Sequence, residues 1–323
     1  MYFLSILFNI ITKIRNTLYD FGVLKIFRIK EVEIICIGNI TVGGTGKTPA
    51  VQYFAKQYLK DGKKVAIVSR GYKGKRKEKL LIVRDEENIY SKASECGDEA
   101  FLHALALDIP VIVGANRYEA CKLAYNKFKV DLIILDDGFQ HRKLFRNKNI
   151  ILIDSTNPFG NKYLLPKGRL RENLNGLKRA DEFIITKCDL MPKKDVELIE
   201  KELKIYNKKI QKAVHGPTSL YNKYKFLDLD EIKDKKILLF SALANPKQFE
   251  QTIKNLGAKE IKTLNFPDHY YYNDKDFAFI DKEAIEFQAD LIISTEKDLV
   301  KFEHSYQRKN LYTLKIEFRI LES

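Results

Sequence analysis

The segment GNITVGGTGKT, at residues 38–48, constrains the fold more than any other part of the chain. It follows an aliphatic run, VEIICIG at 32–38, and precedes a stretch with helical periodicity that begins at Lys47. Glycines allow backbone N–H groups to turn toward phosphate oxygens, and the N-terminus of the following helix adds partial positive charge. A strand, a glycine-rich loop and a helix in this order are typical of a P-loop that binds a nucleoside triphosphate.

The P-loop pattern also predicts which residues contact the triphosphate. Lys47 is expected to reach the β- and γ-phosphates, and the hydroxyl of Thr48 is expected to bind Mg²⁺. The strict pattern G-x-x-x-x-G-K-[ST] has glycine where this chain has Thr41, but the later glycines still supply the loop. The predicted nucleotide-binding residues are Thr41, Gly43, Gly44, Thr45, Gly46, Lys47 and Thr48.

A second motif, VDLIILDDGFQH at 130–141, supplies the acidic residues that accompany a P-loop. Its aliphatic run predicts a strand that ends in two carboxylates, Asp136 and Asp137. A carboxylate at the carboxyl end of a central strand can hold the hydration shell of Mg²⁺. We therefore predict that one or both of these residues contribute to a metal site, and the pattern leaves open which one is nearer the metal.

Aliphatic runs alternate with helical stretches along the chain, and this alternation predicts an α/β fold with a mostly parallel, P-loop-type sheet covered on both faces. A shorter set of strands and helices after Gly216 predicts a second, smaller α/β domain. The predicted strands are 32–38, 64–69, 109–113, 130–136, 149–154, 182–187, 235–241, 260–264 and 290–294. The predicted helices are 47–61, 97–107, 116–128, 193–208, 246–256 and 274–288. The predicted domains are an N-terminal helical segment, a P-loop domain and a smaller domain, at 1–30, 31–208 and 209–323.

The N-terminal residues 1–14, MYFLSILFNIITKI, are strongly apolar but fall short of the roughly 20 residues that a membrane-spanning helix needs. At helical spacing the apolar and polar side chains separate onto two faces. The apolar face holds Phe3, Leu4, Leu7, Phe8, Ile11, Ile14 and Leu18, and the polar face holds Ser5, Asn9, Thr12, Asn16 and Asp20. Residues 1–30 carry five basic residues against one acidic residue. Such a helix either lies in an anionic lipid interface or packs on its own domain.

The charge of the chain indicates an anionic partner, since 57 Lys and Arg residues against 43 Asp and Glu residues give a net charge of +14. Nucleic acid, an acidic membrane and a phosphorylated substrate all satisfy this charge. We predict no nucleic-acid partner, because no zinc-finger or RNA-recognition signature is present. The four cysteines lie far apart and form no CxxC pair, which argues against a zinc ribbon or a disulfide framework.

The two motifs together predict a nucleoside-triphosphate-using protein and leave three classes open. These classes are a GTPase-like switch, an ATPase that handles metals or proteins, and a small-molecule kinase. The segment TKCD at 186–189 favours the first class weakly, because Asp189 stands where such proteins read guanine. Four residues of this type occur easily by chance.

Several segments, taken in order along the chain, resemble the tetraacyldisaccharide 4′-kinase family, the lipid A 4′-kinases of Gram-negative bacteria. The similar segments are GNITVGGTGKTP (38–49), SRGYKG (69–74), GDEA (97–100), GANR (114–117), LDDGFQHR (135–142), LPKGRLRE (165–172), FPDH (266–269) and TEKDLVK (295–301). Two positions depart from the common family pattern, since Arg169 replaces a proline and Tyr270 replaces a second histidine. The resemblance implies ATP-dependent phosphorylation of the 4′-hydroxyl of tetraacyldisaccharide 1-phosphate in lipid A biosynthesis. It also implies a P-loop domain with a smaller α/β domain that closes the active site.

The resemblance further implies roles for residues that the pattern alone leaves undecided. Asp98 matches the catalytic aspartate of the family, and His269 matches the histidine that pairs with it. Together with Lys47, these are the predicted catalytic residues. Glu99 and Gln140 are implied contributors to the metal or to its water ligands.

A set of cationic and amide side chains is predicted to contact the substrate. Arg70, Asn116 and Arg117 follow predicted strand ends, where ligands bind in open α/β sheets. Arg171 is a further candidate. The 1-phosphate of the implied substrate suits the fork of an arginine guanidinium.

The implied cofactors are ATP and Mg²⁺, and the implied partners are the glycolipid substrate and the inner-membrane surface. The resemblance places the protein peripherally on the cytoplasmic face of that membrane, and we expect a monomer. The alternative is a membrane-associated P-loop ATPase or GTPase with a regulatory or metal-handling role. Such a protein would not need Asp98 or His269 for turnover.

Overall fold

The computed structural model describes residues 1–243, 245–268, 270–302, 306 and 308–322. The chain divides into two compact units, which are unit 1 (Met1–His215 and Phe318–Ser323) and unit 2 (Gly216–Glu317). The helices are α1 (Tyr2–Asp20), α2 (Lys47–Lys60), α3 (Ala93–Cys96), α4 (Asp98–Ala106), α5 (Arg117–Phe128), α6 (Lys193–Lys204), α7 (Pro246–Asn255), α8 (Asp274–Phe287) and α9 (Glu296–Phe302). The strands are β1 (Glu33–Gly38), β2 (Val65–Ser69), β3 (Leu80–Arg84), β4 (Val111–Gly114), β5 (Leu132–Asp136), β6 (Lys148–Asp154), β7 (Glu182–Thr186), β8 (Lys209–Tyr221), β9 (Phe226–Leu227), β10 (Lys236–Ser241), β11 (Glu260–Asn265), β12 (Leu291–Thr295) and β13 (Leu311–Ile320).

A mostly parallel sheet forms the centre of unit 1, with strand order β8-β7-β6-β1-β5-β2-β4-β3. The β3–β4 pair is antiparallel and the other neighbouring pairs are parallel. Nearly every residue of β1, β2 and β5 is buried. Because successive side chains of a strand point to opposite faces, this burial means that both faces of the sheet are covered. The predicted P-loop-type α/β fold is therefore confirmed.

Strand register brings several functional segments to one edge of this sheet. Ile37 of β1 pairs with Asp136 of β5, and Asp154 of β6 pairs with Thr186 of β7. The four strands are parallel, so their carboxyl ends meet at the edge where the P-loop leaves Gly38. Ligands of open α/β sheets bind at this edge.

Unit 2 contains a smaller parallel sheet with strand order β11-β10-β12-β13. Leu238 and Phe240 of β10 belong to one apolar cluster, whereas Ile237 and Leu239 belong to another. The alternation shows that apolar side chains cover both faces of this sheet as well. This arrangement matches the predicted second, smaller α/β set.

The pattern of aliphatic runs did not predict three long or medium strands, β3, β8 and β13. In β8 the reason is local, since Gly216 and Pro217 commonly interrupt strands. The predicted domain boundary at residue 209 coincides with the start of β8, and the division between the two units falls inside this strand. The predicted extension of α6 to residue 208 is wrong, because the chain turns at Asn207, whose φ is 51°.

Helix α1 packs on unit 1 through its polar face. The Oγ of Ser5 donates a hydrogen bond to the carbonyl of Leu164 at 2.8 Å, and Nδ2 of Asn16 donates to Glu172 at 2.9 Å. A helix that packs on its own domain normally buries its apolar face. Here Phe8 packs on the core of unit 1, but most of the other apolar side chains of α1 point outward.

The exposed side chains of α1 form a continuous apolar surface. Phe3 is 75% exposed, and Ile11 and Ile14 are each 55% exposed. In the part of the chain that the structure describes, no helix combines the length and hydropathy needed to cross a bilayer.

Candidate active site

The P-loop, residues 39–46, depends on glycine at two positions. Gly43 and Gly46 have φ values of 119° and 83°, in the left-handed region that glycine adopts most readily. A Cβ on Gly46 would lie 1.8 Å from Cε1 of His215, and a Cβ on Gly43 would lie 2.0 Å from Nη2 of Arg169. The backbone conformation therefore disfavours larger residues at both positions, and at Gly46 the ring of His215 also leaves no space for a side chain.

The side chain of Asn39 links two other residues of the P-loop by hydrogen bonds. Its Nδ2 donates hydrogen bonds to the carbonyl of Thr41 at 2.8 Å and to Oγ1 of Thr45 at 2.9 Å. All three residues are buried. Thr41, unlike Gly43, does not have a positive φ. A threonine therefore fits at the position where the strict pattern has glycine.

The segment LPKGRLRE runs beside the P-loop. The backbone N–H of Val42 donates to the carbonyl of Arg169 at 2.8 Å, and that of Arg171 donates to the carbonyl of Ile40 at 2.8 Å. The side-chain Nε of Arg169 also donates to the carbonyl of Val42 at 3.0 Å. Arg169, at a position where the family commonly has proline, thus supports the outer side of the P-loop.

Asp137 faces the lysine of the P-loop. The Nζ of Lys47 lies 4.0 Å from Oδ2 of Asp137, and Nη1 of Arg171 donates to both oxygens of this carboxylate at 2.7 Å. Burial alone would raise the pKa of Asp137, but the charges of Lys47 and Arg171 outweigh burial and lower it. Asp137 is therefore ionised at neutral pH, close to Lys47 and the adjacent Thr48.

Asp136 has a different environment from its neighbour. Its Oδ2 lies 3.2 Å from Nε2 of His103, and both side chains are almost fully buried. The turn after β5 gives Asp137 a φ of 56°, and the two carboxylates thereby reach different surroundings. Of the two adjacent aspartates in the acidic motif, Asp137 is the one that faces the P-loop lysine.

Glu172 connects the P-loop region to α1. The Nε2 of Gln140 donates to the carbonyl of Asn39 at 3.0 Å and to Oε1 of Glu172 at 3.1 Å. Nη2 of Arg179 donates to both oxygens of Glu172, at 2.8 and 2.7 Å. Asn16 of α1 is a further donor to this fully buried carboxylate. Gln140, a predicted contributor to the metal site, thus binds the backbone of the P-loop.

A group of basic side chains, which we call the cationic cluster, comprises the cations Arg70, Arg117 and Arg146 and the imidazole of His141. Burial and the charge of Arg70 lower the pKa of Arg117. Burial, followed by the charges of Arg117 and Arg146, lowers the pKa of His141 to about 4. Among the described residues, Nε of Arg117, Nε2 of His141 and Oδ1 of the adjacent Asn116 are buried without a hydrogen-bond partner. Crowded cations and an unused guanidinium donor suit this cluster to an anion.

The GDEA segment forms the start of α4. Asp98 and Glu99 lie in its first turn, where Asp98 is buried and Glu99 is half-buried. A Cβ on the preceding Gly97 would lie 2.5 Å from the carbonyl oxygen of Tyr72, so the segments GDEA and SRGYKG pack closely together. His269, the predicted partner of Asp98, lies outside the described residues.

In unit 2, the residues that follow FPDH are held by hydrogen bonds. The hydroxyl of Tyr270 donates to Asp276, the acidic member of the capping box of α8, at 3.1 Å. The hydroxyl of Tyr272 donates to the buried carboxylate of Asp298 at 3.1 Å, and Thr295 donates to the same carboxylate at 2.6 Å. Tyr270, at the second position that departs from the family pattern, therefore has a structural contact of its own.

Comparison with known proteins identifies the family. The sequence profile of the tetraacyldisaccharide-1-P 4′-kinase family matches residues 1–323. The chain is also similar to the tetraacyldisaccharide 4′-kinase of Halothermothrix orenii, with 38% identity over 99% of this chain and 89% of that protein. The chain belongs to this family. The tetraacyldisaccharide 4′-kinase of Bdellovibrio bacteriovorus is likewise 38% identical over 92% of this chain and 87% of that protein.

A solved structure of the tetraacyldisaccharide 4′-kinase family has the same fold. It is the crystal structure of LpxK from Aquifex aeolicus in complex with ATP, with a TM-score of 0.77 and 34% sequence identity. The match covers 98% of this chain and 93% of that chain. The resemblance inferred from the eight segments is thus confirmed.

In this 4′-kinase family member, the sequence pattern does not predict a role for two charged residues that lie close to the P-loop, Glu172 and Lys187. Glu172 belongs to a family segment but had no predicted role. Lys187 belongs to TKCD, in which the sequence pattern points only to Asp189. The signal that could have found both residues is a charged side chain in an otherwise buried segment, because such groups need a partner.

Proposed function

We propose that this protein transfers the γ-phosphoryl group of ATP to the 4′-hydroxyl of tetraacyldisaccharide 1-phosphate, in lipid A biosynthesis. The observation that carries the proposal is the P-loop whose Lys47 faces Asp137, in a chain that the 4′-kinase family profile matches from end to end. ATP as the phosphate donor is supported by the ATP complex of the Aquifex aeolicus relative.

Charge neutralisation and alignment are the main requirements of phosphoryl transfer. Lys47 and the N–H groups of residues 43–48 would bind the phosphates of ATP. Thr48 and Asp137 fit Mg²⁺, because a hydroxyl and an ionised carboxylate are oxygen ligands of the kind that this ion prefers. When bound, Mg²⁺ would neutralise charge on the phosphates. Among the described residues no group of three acidic, histidine or cysteine side chains forms a closed metal cage, and Mg²⁺ sites completed by phosphate oxygens do not need one.

The remaining predicted metal contributors have distinct places. We propose that Glu99, in the first turn of α4, contributes through a water ligand. Gln140 binds the carbonyl of Asn39, so its contribution would be to hold the P-loop beside the metal. Asp136 would act through its neighbour Asp137, because its own carboxylate is engaged with His103.

The acceptor of the phosphoryl group is an alcohol, so a base must remove its proton. We propose Asp98 for this role and His269 as the group that orients it, on the basis of their match to the family motifs GDEA and FPDH. Asp98 is buried at the start of α4, in a unit that also carries the P-loop.

The cationic cluster is the proposed site for the 1-phosphate of the glycolipid. Arg70 and Arg117 supply the positive charge. The buried Oδ1 of Asn116, which has no hydrogen-bond partner among the described residues, is an acceptor and suits a sugar hydroxyl rather than the phosphate. Arg171, which was predicted to contact substrate, is bound to Asp137. We therefore propose that Arg171 holds that carboxylate in position near the phosphates.

We propose that α1 attaches the protein to the membrane interface. Its polar face is used in contacts with unit 1, and its apolar face remains exposed. Lys13, Arg15, Lys25, Arg28 and Lys30 supply cations for anionic headgroups. A helix with these properties lies in the interface rather than across the bilayer. The side of attachment would be the cytoplasmic face of the inner membrane, where ATP is present.

One assay tests the proposed reaction. The purified protein is incubated with ATP, Mg²⁺ and tetraacyldisaccharide 1-phosphate in mixed micelles, and the lipid is examined by mass spectrometry. We expect the mass of one added phosphate, and no product from the Lys47→Met variant. ATP hydrolysis without a phosphorylated lipid would instead support the regulatory P-loop ATPase.

A further inference from the structure

Two residues at the end of β7 bind the backbone of the P-loop. The Oγ1 of Thr186 donates a hydrogen bond to the carbonyl of Thr45 at 3.1 Å, and Nζ of Lys187 donates to the carbonyl of Gly44 at 2.8 Å. Thr186 and Lys187 are both buried. Both residues belong to TKCD, the segment that the proposed kinase reaction leaves without a role.

The side chain of Lys187 forms an ion pair with the last residue of β6. Its Nζ lies 2.7 Å from Oδ2 of Asp154, the last residue of that strand. Oδ1 of Asp154 accepts hydrogen bonds from the N–H of Thr156 at 3.0 Å and from its Oγ1 at 2.6 Å. The carbonyl of Lys187 accepts a hydrogen bond from Oγ of Ser155 at 2.8 Å. The ammonium group is therefore fixed between a carboxylate and the P-loop.

The backbone of Lys187 has an uncommon conformation for a residue with a side chain. Its φ is 58°, in the left-handed region. Bonds to both its carbonyl and its side chain maintain this conformation. Left-handed residues that are held in place in this way are concentrated at functional sites.

These contacts determine which way the peptide groups of the P-loop point. In a planar trans peptide the carbonyl and the following N–H point in opposite directions. Because the carbonyl of Thr45 points to Thr186, the N–H of Gly46 points away from it. The carbonyls of Gly44 and Thr45 would repel phosphate oxygens, and Lys187 and Thr186 hold them on the other side of the loop.

We propose that Lys187 is a positioning residue for the triphosphate. With Asp154 and Thr186 it keeps two P-loop carbonyls away from the phosphates, so that the N–H of Gly46 faces the nucleotide. The N–H of Thr45 donates to the carbonyl of Gly43 at 3.0 Å and keeps the loop tightly turned. The inference rests on the proposed function, since it assumes that this P-loop binds ATP. It concerns the nucleotide alone and predicts no effect on glycolipid binding.

The test is ATP binding to the full-length protein without glycolipid, by isothermal titration calorimetry. We expect Lys187→Met to raise the Kd for ATP by about tenfold or more, because it removes a charge-assisted hydrogen bond that orients the loop. In steady-state assays KM for ATP should rise accordingly, while KM for the glycolipid stays unchanged. Thr186→Val should raise the Kd in the same direction, and Thr186→Ser, which keeps the hydroxyl, should restore it.

The chain offers a matched control between the same two strands. Nζ of Lys148, the first residue of β6, lies 2.6 Å from Glu182, the first residue of β7, at the opposite edge of the sheet. Lys148→Met removes an ion pair between the same two strands, far along both of them from the P-loop, and Glu182 keeps a second cation, Lys209. Its Kd for ATP should equal that of the natural protein.

A double variant separates positioning from simple stabilisation. Lys187→Met alone leaves the carboxylate of Asp154 without its cation and should lower Tm. Adding Asp154→Asn removes that charge, so Tm should recover while the weak binding of ATP persists. Recovery of ATP affinity together with Tm, or normal affinity in a folded Lys187→Met variant, would overturn the inference. Failure of the proposed kinase function would appear differently, as the absence of phosphorylated lipid with the natural protein.

Discussion

The exposed apolar face of α1 leads to a quantitative prediction about membrane binding. Complete burial of an isoleucine or leucine side chain contributes about 1.5–3 kcal/mol. Ile11 and Ile14 are each 55% exposed, so transfer of their exposed parts into lipid should contribute about 1 kcal/mol per residue. Replacing both by serine should therefore weaken binding by about 2 kcal/mol, which corresponds to about 30-fold in the partition coefficient.

Sedimentation with sucrose-loaded vesicles that contain anionic phospholipid measures this partition coefficient. The matched control is Leu198→Ser with Ile205→Ser, since these side chains are 61% and 78% exposed elsewhere in unit 1. The control should bind vesicles normally. Neither double variant should unfold at a lower temperature, because both remove side chains that are largely exposed. Equal vesicle binding by the Ile11→Ser, Ile14→Ser variant and the natural protein would refute the membrane role of this face.

Three further predictions concern the active site and the pH dependence of stability. Asp98→Asn should lower kcat by about 10²- to 10⁴-fold, the usual contribution of a general base, with an unchanged Kd for ATP; a near-normal kcat would remove Asp98 from the mechanism. Asp137→Asn should raise the Mg²⁺ concentration for half-maximal activity by about 10- to 100-fold. Asp136→Asn should instead mainly lower the free energy of unfolding, by about 1–3 kcal/mol, because it weakens the buried contact with His103. The opposite outcome would assign the metal to Asp136. Burial and the charge of Lys187 lower the pKa of His215 from 6.5 to about 4, so unfolding takes up a proton between these pH values. This contribution to stability is complete above pH 6.5 and is lost as the pH falls toward 4. His215→Gln should therefore reduce the slope of the unfolding free energy in this range by about 1.4 kcal/mol per pH unit, and an unchanged slope in urea titrations would contradict the shift.

The parallel strands of unit 1 were readily predicted because each is a short aliphatic run buried on both faces. β8 and β13 were not, since their residues are mixed in polarity and β8 also contains Gly216 and Pro217. The same distinction applies to the site. Lys47 and Thr48 belong to a local pattern, whereas the contacts of Glu172 with Asn16 and Gln140 join residues far apart in the sequence.

The P-loop, the acidic motif and the ordered family segments determined the fold class and the family of this protein and predicted its nucleotide site. They could do so because a phosphate-binding loop is a local backbone structure, and its glycines, Lys47 and Thr48 are adjacent in the chain. Only the tertiary structure decided that Asp137 rather than Asp136 faces Lys47, and that Lys187 lies behind the P-loop. It also decided which face of α1 is buried, because hydrogen-bond partners for Ser5 and Asn16 come from residues that lie more than a hundred positions away. A helical pattern specifies two faces, and the rest of the protein selects the one that remains exposed.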